Sequence, residues 1–418
     1  MLKYKVTKED DALLGEINLP ASKRITNKVL TIKAIHRQDS SAKKESCTDQ
    51  SAEELNFFDK EILPGGSKVN QGKSAVALRF VYHYLSIYKG EWIIAVSDKM
   101  QTEPIRKVVE FLANKGINIS FVEITGFPPI KIIGKNLTGA ISRIDASISC
   151  DYIMASLVLS PNLSEAASNS ITANYASSPY IRQNIKLLRQ LGINTHWNTD
   201  NILIENVYND GSHVVVEGDW GNASYWYQML TLSGSKEITI KGLKYDTYQE
   251  DSVIKELFEE FGIKTTAHDN DVILTKVKRK VKSFNHDFSN NYNLIPCFTV
   301  TCALLGIPFK IKGVNLGGRA PERAKMLRDC LAQLGASVSA TKEVNSETVT
   351  FDGKLDMPEK GKEVYIPAHL DHRLAMAFTP AALLGYKVVV ENPTQVNTTY
   401  PSYWDDVKKL GFIVNPEA

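Results

Sequence analysis

Three short segments gather the residue types that handle anions. In NLPASKRITNKVLTIKAI, Asn18 to Ile35, the cations Lys23, Arg24 and Lys28 cluster where Pro20 gives way to an apolar-periodic helix. Free backbone N–H groups and the helix dipole add to such side-chain charge, so a helix start of this kind suits a phosphate or carboxylate. In GRAPERAKML, Gly318 to Leu327, Arg319 and Arg323 are four residues apart and share one helix face. In HLDHRLAMAFTPAALLG, His369 to Gly385, Asp371 stands in N-cap position before an Ala-rich helix, with His372 and Arg373 next to it. Taken singly, each segment reads as readily as solvated surface or a plain cap. GGSKVNQGKS, Gly65 to Ser74, imitates a P-loop but has Ser67 where that motif needs glycine. There is no HExxH and no His cluster with metal-ligand spacing, so no metal is expected. GDWGNASYWYQM, Gly218 to Met229, reads as a capped, aromatic-rich core helix.

These segments need a sizeable scaffold. The chain has 418 residues, enough for two or three domains. A 43% hydrophobic and 23% charged composition is globular, which excludes disordered or collagen-like chains. With 49 Lys+Arg against 47 Asp+Glu, no basic excess marks a nucleic-acid binder. Five cysteines without CxxC spacing argue against both a disulfide framework and structural zinc. No apolar run reaches the length of a membrane span, and MLKYKVTKEDD has acids where a signal peptide needs an apolar stretch. A reduced, cytoplasmic protein is expected.

One pattern recurs: an amphipathic helix, then glycine, then an alternating apolar strand. Its glycines are Gly116, Gly192, Gly262, Gly335 and Gly411, spaced 76, 70, 73 and 76 residues apart. Glycine suits the left-handed residue that closes a helix. The period is too long for common solenoids and fits a repeated α/β module of one or two helices with three or four strands. A sixth copy before Gly116 would fall in the polar, irregular stretch 39–66 and cannot be located.

Taken in order, LPASKRITNK, SAVALRF, ISCDYIMASLVL, SSPYIRQNIKLL, EGDWGNASYW, LDHRLAMAF and NTTYPSYWDDVKKLG resemble the motifs of the 5-enolpyruvylshikimate-3-phosphate (EPSP) synthase family over nearly the whole chain. The resemblance implies an α/β (α+β) fold of two similar domains. Each would hold three βαβαββ modules around buried helices. Residues 1–20 and 242–418 would form one domain and residues 21–241 the other, with the active site in the cleft between them. It implies a 3-phosphoshikimate 1-carboxyvinyltransferase of aromatic amino-acid biosynthesis. Its substrates would be shikimate 3-phosphate and phosphoenolpyruvate, with no cofactor, no nucleic-acid or membrane partner, and a monomeric state.

Carried across position by position, Lys23, Arg79, Ser149, Ser177, Tyr180, Asn315, Arg323, His372 and Arg373 match the family's substrate-facing set. Lys28 stands for an arginine, which keeps the charge but loses the bidentate fork. Cys150 and Asp151 replace a serine and a glutamine. Arg24 and Lys73 add cations where the family has small residues. The phosphoenolpyruvate half departs further. Ala75-Val76 replaces Gly-Thr, Glu103 replaces the arginine of RPI, and Thr398 replaces the lysine of KTFP or KSYP. The proton-transfer positions are also altered. Asn293 replaces a catalytic Asp and cannot take a proton at neutral pH. Arg319 replaces a catalytic Lys and is a poor proton donor. Ala320 replaces a catalytic Glu. His372 is retained.

The expectation is therefore an enolpyruvyl transferase of this family with an eroded, impaired site. The alternative is a catalytically silent homologue that binds an anion or a partner. Asp151, Glu322 and Glu103 are the carboxylates that would have to substitute for the lost ones if the enzyme works normally.

Overall fold

The structure is a computed structural model. It describes residues 2–36, 67–71, 81–82, 85–86, 90–96, 105–114, 116–134, 143–144, 167–171, 179–198, 201–204, 215–314, 320–343, 346–356, 361–368 and 371–417. Backbone contacts divide the chain into two compact units. Residues 1–22 with 217–418 form the first, and residues 23–216 form the second.

Five four-stranded sheets occur among the described residues, all built on one plan. A parallel pair starts each sheet and two antiparallel pairings complete it. In the first unit, for example, Glu363–Pro367 runs parallel to Lys387–Glu391, then Lys3–Thr7 and Ile413–Glu417 follow antiparallel. The sequence repeat maps onto this plan. Gly116, Gly192, Gly262, Gly335 and Gly411 all have left-handed φ, between 78° and 91°. Each leads into the far edge strand of one sheet: Asn118–Phe121, Thr195–Asn198, Ile263–His268, Ala336–Lys342 and Ile413–Glu417. At Gly335 a Cβ would lie 2.1 Å from the Asp356 carbonyl oxygen, so that turn is closed to larger residues. The first unit contains three of the sheets and the second contains two among the described residues. Stretch 39–66 lies outside the described residues.

The first unit packs its sheets around three helices that have almost no exposed face. Trp220–Leu232 and Ile295–Leu304 are buried all round, as is His372–Phe378 beyond its first turn. A helix apolar on every side belongs in a core rather than on a surface. The three pack on one another, and Gln228 Nε2 donates to the Ala377 carbonyl at 2.9 Å. Phe298 stacks on Phe284 with ring centroids 5.2 Å apart and also meets Phe258 and Phe288.

The second crossing between units falls at 216/217, not after 241. The Trp220–Leu232 helix and the Glu237–Lys241 strand belong to the first unit, where that strand pairs in parallel with Glu16–Asn18. The two crossing segments are tied together: Ala21 bridges Gly218, Ser22 N–H donates to the Glu217 carbonyl at 2.9 Å, and Ser22 Oγ donates to Asp219 Oδ2 at 2.6 Å. Asp219 also caps the Trp220–Leu232 helix, its Oδ1 accepting from Asn222 N–H at 3.0 Å. Asp219→Ala removes both bonds, and denaturant unfolding should register a loss of about 1–2 kcal/mol.

Gln333, ending the Ala320–Gln333 helix, lies against the outer side of the Glu363–Pro367 edge strand. Its Oε1 accepts from Tyr365 N–H at 2.7 Å and its Nε2 donates to the Tyr365 carbonyl at 3.0 Å.

In the second unit, the helices Lys23–His36, Arg106–Asn114 and Pro179–Gln190 accompany the two sheets. Ile25, Val29 and Ile32 are buried, as are Ile181, Ile185 and Leu188. No described helix is long and apolar enough to cross a membrane.

Candidate functional site

In the first unit, three elements bring the predicted residues together. Asn293 lies in the 3₁₀ turn Tyr292–Leu294, which leads into the buried Ile295–Leu304 helix with Pro296 in its first turn. Arg323 stands near the start of Ala320–Gln333. Asp371 caps His372–Phe378, its Oδ1 accepting the Arg373 N–H at 3.0 Å. Proline tolerates a helix's first turn because no intrahelical partner is lost there, and aspartate satisfies an orphan N–H.

Arg373 is the hub. Its Nε donates to Asp371 Oδ1 at 2.8 Å and its Nη2 to Asp371 Oδ2 at 2.6 Å, a bidentate pair. Its Nη1 donates to Asn293 Oδ1 at 2.7 Å. Arg323 Nε lies 3.9 Å from Asp371 Oδ2. Asp371 is 4% exposed and the Arg373 side chain 14%. Burial alone would push the Asp371 carboxyl up. The Arg373 guanidinium, with His372 and Arg323 beside it, outweighs burial and holds it at about 2. Burial opposes the Arg373 charge, but Asp371 more than restores it and raises its pKa. Burial also pushes the nearby Tyr225 phenol well above its ordinary value.

A recess opens beside this cluster, lined by Tyr292, Pro296, Gly313, Val314, Arg323 and Arg373 among others. Two arginines and the carboxylate of Asp371 border this recess. Asn293 cannot titrate, and the Asp371 carboxyl, held near 2 and accepting three hydrogen bonds from Arg373, is far from the neutral pKa that a general base needs. Glu322 is exposed on the same helix as Arg323. Thr398, where the resemblance implies a cation, donates its hydroxyl to the Gln395 carbonyl at 2.7 Å.

The second unit holds the other predicted cations. Lys23 and Arg24 are half-buried at the start of their helix. Lys28 is 2% exposed and donates to Asn184 Oδ1 at 2.7 Å, which ties its helix to Pro179–Gln190. Tyr180 is the second residue of that helix and Ala320 the first of Ala320–Gln333. Arg79, Ser149, Ser177, Asn315 and Arg319 lie outside the described residues, as do Lys73, Ala75, Val76, Glu103, Cys150 and Asp151. Sequence reasoning missed Asn184 and Tyr292. Neither carried a signal, since each matters only through partners or walls remote in sequence. Among the described residues, no group of three or more His, Cys, Asp or Glu side chains is placed to hold a metal ion.

The family profile described as EPSP synthase (3-phosphoshikimate 1-carboxyvinyltransferase) matches residues 17–407. A 3-phosphoshikimate 1-carboxyvinyltransferase of Bacteroides fragilis is 33% identical over 398 residues, which is 95% of either chain. One from Psychromonas ingrahamii is 25% identical over 95% of this chain and 96% of its own. An EPSP synthase structure from Acinetobacter baumannii superposes with a TM-score of 0.75 at 14% identity, covering 100% of both chains. The enolpyruvyl transferase NikO from Streptomyces tendae superposes with a TM-score of 0.68 at 14% identity, over 99% of this chain and 98% of its own.

Proposed function

Since the chain belongs to the EPSP synthase family, we propose that it keeps the family's hold on shikimate 3-phosphate while its enolpyruvyl transfer from phosphoenolpyruvate is strongly impaired. The observation that carries this reading is the Asn293–Arg373 hydrogen bond. The position matched to the catalytic aspartate bears an amide, and the buried carboxylate of Asp371 is committed to Arg373. The anion-binding side is better preserved. In one unit Lys23 matches a family sugar-phosphate contact, Lys28 replaces an arginine and Arg24 adds a cation, and Arg323, His372 and Arg373 supply cationic or hydrogen-bonding groups in the other. Glu103 and Thr398 stand where cations for phosphoenolpyruvate would be. In this reading the protein acts as a cytoplasmic monomer without a cofactor.

Losing one general base costs ~10²–10⁴-fold in rate. The altered Asp, Glu and Lys positions act as a unit, so their costs need not add. Phosphate release from shikimate 3-phosphate and phosphoenolpyruvate is therefore expected to run decades below the common range of ~1–10³ s⁻¹. In separate titrations, calorimetry should detect shikimate 3-phosphate and find phosphoenolpyruvate weak. Turnover inside the common range, or tight phosphoenolpyruvate binding, would refute the reading. The second reading, a silent anion-binding homologue, is favoured by Arg323 and Arg373 bordering a recess beside an amide at position 293. It predicts binding with no phosphate release at all.

A further inference from the structure

We infer that residues 242–250 form a strap that locks the second crossing onto the first unit, with Gln249 as its fastening, so that flexing of the chain there stops at Glu217. Gln249 is 5% exposed, and its amide engages the crossing backbone twice. Its Nε2 donates to the Gly218 carbonyl at 2.7 Å, and its Oε1 accepts the Trp220 N–H at 3.1 Å. Trp220 opens its helix, so that N–H has no intrahelical acceptor and needs one from outside. Asp219 serves Asn222 instead, which leaves Trp220 to Gln249. An amide carries a donor and an acceptor side by side, which a carboxylate at neutral pH does not.

The crossing holds the strap in return. Glu217 is buried, and both its carboxylate oxygens are engaged: Oε1 by the Thr247 hydroxyl and Oε2 by the Lys244 N–H at 3.3 Å. The Thr247 hydroxyl also accepts the Gln249 N–H at 3.0 Å. Strap and crossing therefore interlock, each supplying a side chain that binds the other's backbone. The backbones themselves are close. Gly218 N–H donates to the Gly242 carbonyl at 2.6 Å, and a Cβ at 218 would lie 2.9 Å from Leu19 Cβ and 3.0 Å from the Gly242 oxygen. The holding ends abruptly on the other side. Val215 is 75% exposed, and among the described residues neither Val215 nor Val216 makes a backbone hydrogen bond. Free chain before Glu217 and fastened chain after it place the bending at 215–216 and keep it out of the start of the Trp220–Leu232 helix.

Hydrogen–deuterium exchange of the full chain, resolved by overlapping peptides, tests this. The Val215 and Val216 amides should exchange fast and those of Gly218 and Trp220 slowly. Gln249→Met keeps the bulk and removes both clamping bonds. It should speed exchange at Gly218 and Trp220 at least tenfold while Tyr227 to Leu232 keep the unmodified rate. Gln249→Glu is the second variant. Ionised, it faces the Gly218 carbonyl with no donor; protonated, it donates again. The titratable groups at this spot are Glu217, whose carboxyl burial pushes up, with Lys244 and Tyr248 of the strap. All three are present in both proteins, so the comparison isolates position 249. Burial and Glu217 raise the folded pKa of a glutamate there above the unfolded value of ~4.3. Its Tm deficit should therefore be largest at high pH and shrink as the pH falls toward that value, while the Met deficit stays constant. A glutamine that merely fills space gives neither the local exchange nor the acid rescue. Unchanged exchange at Gly218 and Trp220 in Gln249→Met overturns the inference. So does slow exchange at Val215 and Val216 in the unmodified chain, or a Gln249→Glu deficit that ignores pH. If Gln249→Met fails to fold, the melting of Gln249→Glu against pH decides alone.

Discussion

Replacing Asp371 by alanine should destabilise the protein by about 3–5 kcal/mol, the usual consequence of leaving one partner of a buried ion pair alone. Three bonds to Asp371 are lost: those from the Arg373 Nε, Nη2 and backbone N–H groups. The guanidinium is left mostly desolvated, with only the neutral Asn293 among the partners described above. Urea denaturation monitored by circular dichroism measures the loss, and Asp371→Asn should fall between wild type and alanine by retaining a cap. The pair also sets a pH dependence. The folded carboxyl is held at about 2, below the unfolded value of ~3.9. Its contribution is therefore fully present above about pH 5 and is lost as the pH falls toward 2, amounting to about 2 kcal/mol. Asp371→Ala should flatten that part of the stability profile. A variant as stable as wild type, with the same acid sensitivity, would show that Arg373 draws its stability from elsewhere.

The second large effect concerns rate. Restoring two carboxylates together, Asn293→Asp with Ala320→Glu, should raise residual phosphate release by ~10²-fold or more, within the range that a general acid or base supplies. The Asp at 293 also sits against Arg373, so kcat should rise while the KM for phosphoenolpyruvate rises too. The assay is steady-state phosphate release at varied phosphoenolpyruvate with shikimate 3-phosphate saturating. A double variant no faster than wild type would mean that the ancestral reaction cannot be recovered at these two positions, and the silent, anion-binding reading would gain.

Some of this was legible in the residues and some was not. Helix–glycine–strand junctions anticipated the far edge strands of five sheets, because a left-handed residue after a helix has a local composition signature. The position of the second crossing had none. Gly218 and Asp219 signal a turn and a cap, but the same signal serves whichever unit receives the helix; the parallel pairing of the following strand, Glu237–Lys241, with Glu16–Asn18 joins the segment to the first. Lys28 reads locally as a solvated or anion-seeking cation. Its burial depends on Asn184, 156 residues away. The Asn293–Arg373 bond spans 80 residues and joins a turn to a helix start, so neither helical nor strand periodicity could announce it. The charge of Arg323 and Arg373 and their places near helix starts were visible early, since charge type and helix position are local properties. Their mutual arrangement around Asp371 was not.

The amide that Gln333 presses against Tyr365 also bears on how copies of this protein meet. Tyr365 is on a sheet border and is 44% exposed, which is where a foreign strand could add itself rung by rung. Gln333 already fills the rung at that residue, giving and taking one hydrogen bond as an invading backbone would. Any chain seeking to extend the sheet must first evict a side chain anchored in a helix. Ten residues beyond Arg323, the same helix thus ends in a guard against fibrous self-association.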